Sequence, residues 1–193
     1  MDAELEISNM NFDSLIAALQ KGEVDMVISG VEKDGKREKG VDFSEAYYTD
    51  LPPMILIKAD KKDTYTSAKS LEGKTIAAQS GTTKADIVNE EFKKSKLLAL
   101  TSVTDIVNNL AYDKCDAVIL DGAVAQQYAQ ENEDMVIADI ALGEEAPYYV
   151  AVQKGDPKGI LEDINKTIQN AKEKKLVDQW IDEADAKADE AVE

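Results

Sequence analysis

"LIAALQKGEVDMVISG" runs from Leu15 to Gly30, and "IVNNLAYDKCDAVILDG" runs from Ile106 to Gly122. Each reads as a helix, a turn and an Asp-x-Val-Ile strand. Leu19 precedes Asp25 by the same interval that Leu110 precedes Asp116. Two similar α/β lobes explain this echo better than chance does.

Around the second copy the chain alternates regularly. "KTIAAQ", "LLALT", "CDAVILD" and "DMVIAD" read as strands, and "TTKADIVNEEFKKS", "SVTDIVNNLAYD" and "GAVAQQYAQEN" as helices. Alternation of this kind predicts a parallel sheet covered by helices. Around the first copy, Phe12, Leu15, Ile16 and Leu19 share one helical face, with Asn11 as a cap and Gly22 at the end. "VDMVISG" is a nearly continuous apolar run, the pattern of a strand covered on both faces. "AELEIS" alternates like a strand, "LPPMILIKAD" and "PYYVAVQK" read as strands, and the segment from Pro157 onward reads as helical with a break near Lys174. Between them lies "GVEKDGKREKGVDFSEAYY", Gly30–Tyr48, which has no helical or strand period and carries Arg37 in its middle.

Composition excludes several functions. The chain has 193 residues, with 22 Lys and Arg against 39 Asp and Glu, a net charge of −17. Such a charge repels phosphate backbones, so nucleic acid is not an expected partner. Histidine is absent, which removes Ser-His-Asp and Cys-His catalysis and most zinc sites. The single Cys115 cannot close an internal disulfide and is expected to be inert packing rather than a reactive thiol. No apolar run is long enough to span a bilayer, and residues 1–20 lack the basic start and apolar core of a signal peptide.

In open α/β sheets, ligands sit outside the carboxyl ends of the strands. Three segments leave such ends: Ser29–Arg37, Gln79–Thr83 and Asp121. "QSGTT" at Gln79–Thr83 is either an anion site of backbone N–H groups and hydroxyls or an ordinary helix cap. Arg37 offers a planar fork suited to a carboxylate, or is a solvated surface arginine. Asp121, before Gly122, suits an ammonium, or caps the following helix. A carboxylate holder, an ammonium holder and a donor loop together describe an α-amino acid site.

"FDSLIAALQKGEVDMVISGVEKDGKREKGVDFSEAYY" resembles the first-lobe signature of the solute-binding proteins of polar amino-acid ABC transporters, family 3 of the bacterial extracellular solute-binding proteins. "LEGKTIAAQSGTT", "DAVILD" and "YYVAVQKGDP" are similar to the second-lobe motifs and the return crossover, in the same order. The resemblance implies an α/β, two-lobed periplasmic-binding-protein type II fold. Residues 1–52 and 150–193 would form lobe one and residues 53–149 lobe two, with crossovers near Leu51–Lys58 and Tyr148–Val152. It implies that Phe12 packs on the ligand side chain and that Ser29 and Gly30 offer backbone acceptors to the α-amino group. Arg37 would bind the α-carboxylate with Thr82 and Thr83, Asp121 would bind the α-amino group, and Gln79 would reach toward the ligand side chain. No cofactor or metal is implied. The partners would be a polar amino acid and a membrane permease. Localisation would be extracellular, cell-surface or periplasmic, by way of a leader or lipid anchor outside this chain.

Two departures accompany the resemblance. Glu32 stands where the family has Thr or Ser; it is expected to face the site, with a plain ion pair to Arg37 as the alternative. The family also begins with a strand, a loop and a helix ahead of "AELEIS", so lobe one is expected to be N-terminally truncated. Unpaired strand edges would then favour a homodimer through strand or lobe exchange, with weak amino-acid binding. Two other functions compete with amino-acid capture: a cyclohexadienyl dehydratase-like enzyme, with Glu32 as its acid or base, and a receptor sensor domain.

Overall fold

The computed structural model describes residues 4–190. The chain divides into two compact units, Met1–Leu15 with Asp50–Ala146, and Ile16–Thr49 with Pro147–Glu193. This division differs from the expected bounds mainly at the start, where the residues through Leu15 belong with the central segment. Within this unit Gly81 and Asp13 approach closely: a Cβ on Gly81 would lie 2.9 Å from both Cα and Cβ of Asp13. With φ at +78°, Gly81 is also in the left-handed region that glycine adopts without strain.

The first unit is built on a five-stranded sheet. Its strands are β3 (Met54–Lys58), β4 (Thr75–Gln79), β5 (Lys96–Leu100), β6 (Ala117–Leu120) and β7 (Met135–Ile137), in the order β5-β4-β6-β3-β7. β4 runs parallel to β5 and β6, whereas β3 is antiparallel to both β6 and β7. The expected parallel sheet therefore holds for the three alternating strands, and the crossover strand β3 enters against them. Ile55, Ile57, Ile76, Ala78, Ala117 and Ile119 bury on one face, with α2 (Thr83–Glu91) contributing Ala85 and Val88. Leu56, Ala77, Val118 and Leu120 bury on the other, where α3 (Val103–Ala111) and α4 (Gly122–Glu131) bring Ile106, Leu110 and Ala125. Successive strand residues point to opposite faces, so a sheet covered twice needs the unbroken apolar run "AVIL".

The second unit holds a three-stranded sheet, β1 (Met26–Val31), β8 (Ala146–Gln153) and β2 (Val41–Asp50), in the order β1-β8-β2. α1 (Leu15–Lys21) buries Ala18 and Leu19, and α5 (Leu161–Glu173) buries Ile168 and Ala171. α6 (Leu176–Glu190) follows a break at Lys175, whose φ is +52°. Both members of the echo are realised: Leu19 and Leu110 are fully buried, and each precedes its Asp-x-Val-Ile strand.

β1 is a strand but is not covered on both faces, with Met26 41% and Ile28 61% exposed, and two expectations about where strands fall also fail. Residues 41–50 form a ten-residue strand rather than irregular chain. Its exposure does not alternate, because polar groups enter the sheet. The Ser44 hydroxyl accepts the Val150 N–H at 2.9 Å, and Asn165 of α5 accepts the Glu45 N–H at 2.8 Å. Conversely, residues 4–10 form no strand, and Leu5 and Ile7 are 71% and 83% exposed. Their alternation alone does not make a strand, which needs a ladder partner.

Candidate functional site

In the second unit, β1 is antiparallel to β8 and its register shifts between Val27 and Val31. Gly30 sits in that bulge with φ +61°. A Cβ there would meet the Tyr148 ring no closer than 3.7 Å, an ordinary contact, so conformation rather than crowding selects glycine. The Gly30 N–H donates to the Tyr47 hydroxyl at 3.1 Å. Burial pushes the Tyr47 phenol above its usual range, outweighing this bond. The Gly30 main-chain donor is thus engaged within its own unit.

Arg37 begins a short 3-10 turn, Arg37–Lys39. Its side chain is only 11% exposed, so it is not a solvated surface arginine. Its Nη1 donates to the Glu32 carbonyl at 2.8 Å and its Nε lies 3.2 Å from Asp34 Oδ2. Asp34 Oδ1 accepts the N–H groups of Lys36 and Arg37 at 2.7 and 2.8 Å. This Asx turn shapes the loop around the guanidinium. Asp34 escaped the sequence reading, although "KDGK" is a turn signature that could have found it.

In the first unit, Gln79 closes β4 and Thr82 caps α2. The Thr82 hydroxyl donates to the Gln79 carbonyl at 2.7 Å and accepts the Ala85 N–H at 3.4 Å. The capping reading of "QSGTT" is therefore realised in the Thr82 side chain. Gln79 Nε2 donates to the Thr101 carbonyl at 3.0 Å, at the end of the neighbouring strand. Thr83 opens α2, and the half-buried Phe12 opens the 3-10 turn Phe12–Ser14 of the same unit.

Asp121 occupies the position before α4 but makes no side-chain cap. Asp50 replaces it: its Oδ1 accepts the N–H groups of Leu51 at 2.7 Å and Ala123 at 3.4 Å. Gly122 permits that arrangement, because a Cβ there would lie 2.4 Å from the Pro52 carbonyl oxygen and 2.5 Å from Leu51 Cβ. Released from capping, the Asp121 carboxylate turns to Lys84 and forms an ion pair through Oδ1. Lys84 was missed in the sequence. A signal existed: a helix N-terminus carries partial positive charge, so a lysine in the first turn of α2 calls for a carboxylate nearby.

Cys115 is a free, buried thiol, pushed up to about 12 chiefly by burial and then by the charge of Asp116. Among the described residues no helix is long and apolar enough to cross a membrane.

Two α/β units, traversed twice by the chain and carrying a guanidinium in one and a strand-end carboxylate in the other, define a two-lobed binding protein of the periplasmic type. A profile of the bacterial extracellular solute-binding proteins, family 3, matches residues 1–183, and the chain belongs to that family. It is 34% identical over 191 residues to the arginine-binding extracellular protein ArtP of Bacillus subtilis, covering 92% of this chain and 71% of that one. Its structure is similar to that of the substrate-binding protein AbpA of Streptococcus pneumoniae bound to L-arginine, with a TM-score of 0.87 and 35% identity over 94% of this chain and 76% of that one. It is also similar to the ancestral amino-acid-binding protein AncCDT-1, a precursor of cyclohexadienyl dehydratase, with a TM-score of 0.82 and 29% identity over 92% and 76% of the two chains.

Proposed function

We propose that this chain captures a cationic amino acid, L-arginine foremost, outside the membrane and delivers it to an ABC permease. Arg37 carries the reading. A part-buried guanidinium, held in place by the Glu32 carbonyl and Asp34, is suited to bind an α-carboxylate. Asp121 takes the α-ammonium, with the Ser29 and Gly30 carbonyls as further acceptors. Thr82 and Thr83 contribute at the carboxylate, and Phe12, Gln79 and Glu32 serve the side chain. The relatives that bind arginine favour this ligand over glutamine.

Calorimetry with a panel of twenty amino acids tests it. Saturable one-to-one binding of L-arginine, with neutral and acidic amino acids weaker, is expected; no binding by any of them would overturn the proposal. The enzymatic reading rests on the likeness to AncCDT-1, itself described as an amino-acid-binding protein. Turnover of prephenate or arogenate by this chain would favour it. Association of two copies belongs to the same proposal. β1 is an edge of its sheet among the described residues, and Met26 and Ile28 on it are exposed, which suits pairing with another strand. Light scattering at micromolar concentration would show a dimer, and a monomer would refute that part.

A further inference from the structure

The segment that carries Arg37 is fastened on both sides by different means. Before the arginine, Asp34 holds the chain from within through its Asx turn. After it, the fastening comes from Lys154, 116 positions beyond Glu38 and the first residue past β8. The Lys154 ammonium donates to the Glu38 carbonyl at 2.9 Å, to the Val41 carbonyl at 3.4 Å and to Asp42 Oδ1 at 2.5 Å. An ammonium carries three donors, and three oxygens of one short segment surround this one. Asp42 is held in turn by the Gly155 N–H, at 2.6 Å on its other oxygen. The lysine first, and then this N–H, keep the Asp42 carboxyl below its usual 3.8. From α1, Gln20 Nε2 donates to the Gly40 carbonyl at 3.4 Å, and the Gly40 N–H closes on the Arg37 carbonyl at 2.9 Å. The limb from Glu38 to Val41 is thus tied to two other elements of its own unit.

We propose that Lys154 is a positioning residue of the amino acid site, fixing the Arg37 turn so that its guanidinium is preset for the ligand's α-carboxylate. The inference rests on the reading of Arg37 as the carboxylate contact. Lys154 is 54% exposed, and an exposed ion pair adds little to stability. Its effect is geometric instead. Glu38 adjoins Arg37, and a loop left loose would have to be ordered each time a ligand bound. The plain alternative is a strap from Lys154 to Asp42 that only joins the end of β8 to β2. The two carbonyl contacts speak against it, since a strap needs the carboxylate alone.

The test compares L-arginine with agmatine, which lacks the α-carboxylate and so gains nothing from a preset Arg37. Calorimetry on the full chain is expected to show Lys154→Met weakening L-arginine by about fivefold while changing agmatine little. Lys154→Arg, which keeps a cation in reach of the carbonyls, should restore most of the loss. Asp42→Asn removes the ion pair and leaves the carbonyl contacts, so it should cost L-arginine less than Lys154→Met does. Three results would each overturn the proposal: equal weakening of both ligands, an unchanged L-arginine affinity, or an Asp42→Asn loss as large as that of Lys154→Met. Should Lys154→Met not fold, Lys154→Gln is read by the same comparison. Arg37→Ala examines the underlying reading. If it leaves the preference for L-arginine over agmatine intact, Arg37 is not the carboxylate contact, whatever Lys154 does.

Discussion

The Asp50 carboxylate accepts the backbone N–H of Ala123 across 73 positions of sequence, so α4 is capped by the crossover strand and not by its own preceding residue. Asp50 is 4% exposed and also accepts the Leu51 N–H. Removing it leaves two part-buried donors without this acceptor, at about 1 kcal/mol. Asp50→Ala is expected to lower the unfolding free energy by that much, read from denaturant melts. Asp50→Asn, which keeps an acceptor oxygen, should cost less. Equal stability of Asp50→Ala and the parent would contradict the capping role.

Arg37→Ala should weaken amino-acid binding by two orders of magnitude or more, since loss of one partner in a buried charged contact costs about 2–5 kcal/mol. Arg37→Lys should recover little, because a point charge cannot reproduce a planar fork. Titration calorimetry on the folded variants reads both.

Glu32→Thr should shift preference from cationic toward neutral side chains. The measurement is the ranking of arginine, lysine and glutamine affinities. An unchanged ranking would exclude Glu32 from ligand selectivity.

Gly30→Ala should destabilise by about 1–2 kcal/mol, because alanine at φ +61° is strained even where space exists. Tyr47→Phe should cost about 1 kcal/mol by leaving the Gly30 N–H without its acceptor. Thermal melts separate the two effects if the double variant is compared with each single one.

Stability should fall at acid pH through Asp116. Burial raises its proton affinity, but the Thr75 N–H at 2.9 Å, the Tyr65 hydroxyl at 2.8 Å and Lys74 outweigh burial, and the carboxyl lies below its usual 3.8. A depressed folded value stabilises above the unfolded value and is lost as pH drops through the folded one. Denaturant midpoints measured downward from neutral pH should therefore decline below about pH 4, and Asp116→Asn should flatten that decline. An unaltered slope would assign the acid sensitivity elsewhere.

What could be read in advance follows from where the physics is local. The strands of the first unit were legible because a sheet buried on both faces writes itself as apolar runs such as Ala117–Leu120. The helix break was legible near Lys174 because the charged run "KEKK" interrupts the apolar spacing; the structure places the turn at Lys175. β2 was not legible, since Ser44 and Asn165 supply its hydrogen bonds from β2 itself and from 120 positions beyond Glu45. "AELEIS" misled because alternation says which face a strand would bury and nothing about its partner. At the candidate site, the sequence offered Arg37, Asp121 and the Gln79–Thr83 loop with two readings each and did not choose between them. Whether Asp121 caps α4 or faces a ligand depends on Asp50 and Lys84, which only the fold brings to it.

The buried thiol of Cys115 has a practical consequence. A sulfhydryl held up to about 12 is almost wholly protonated at neutral pH, and maleimide reagents attack the thiolate. Buried and held as the thiol, Cys115 should therefore label slowly with such dyes. A cysteine introduced at an exposed position, such as the 72% exposed Tyr112, would take up a fluorophore alone. Selective labelling at that position is then expected without first removing the native cysteine.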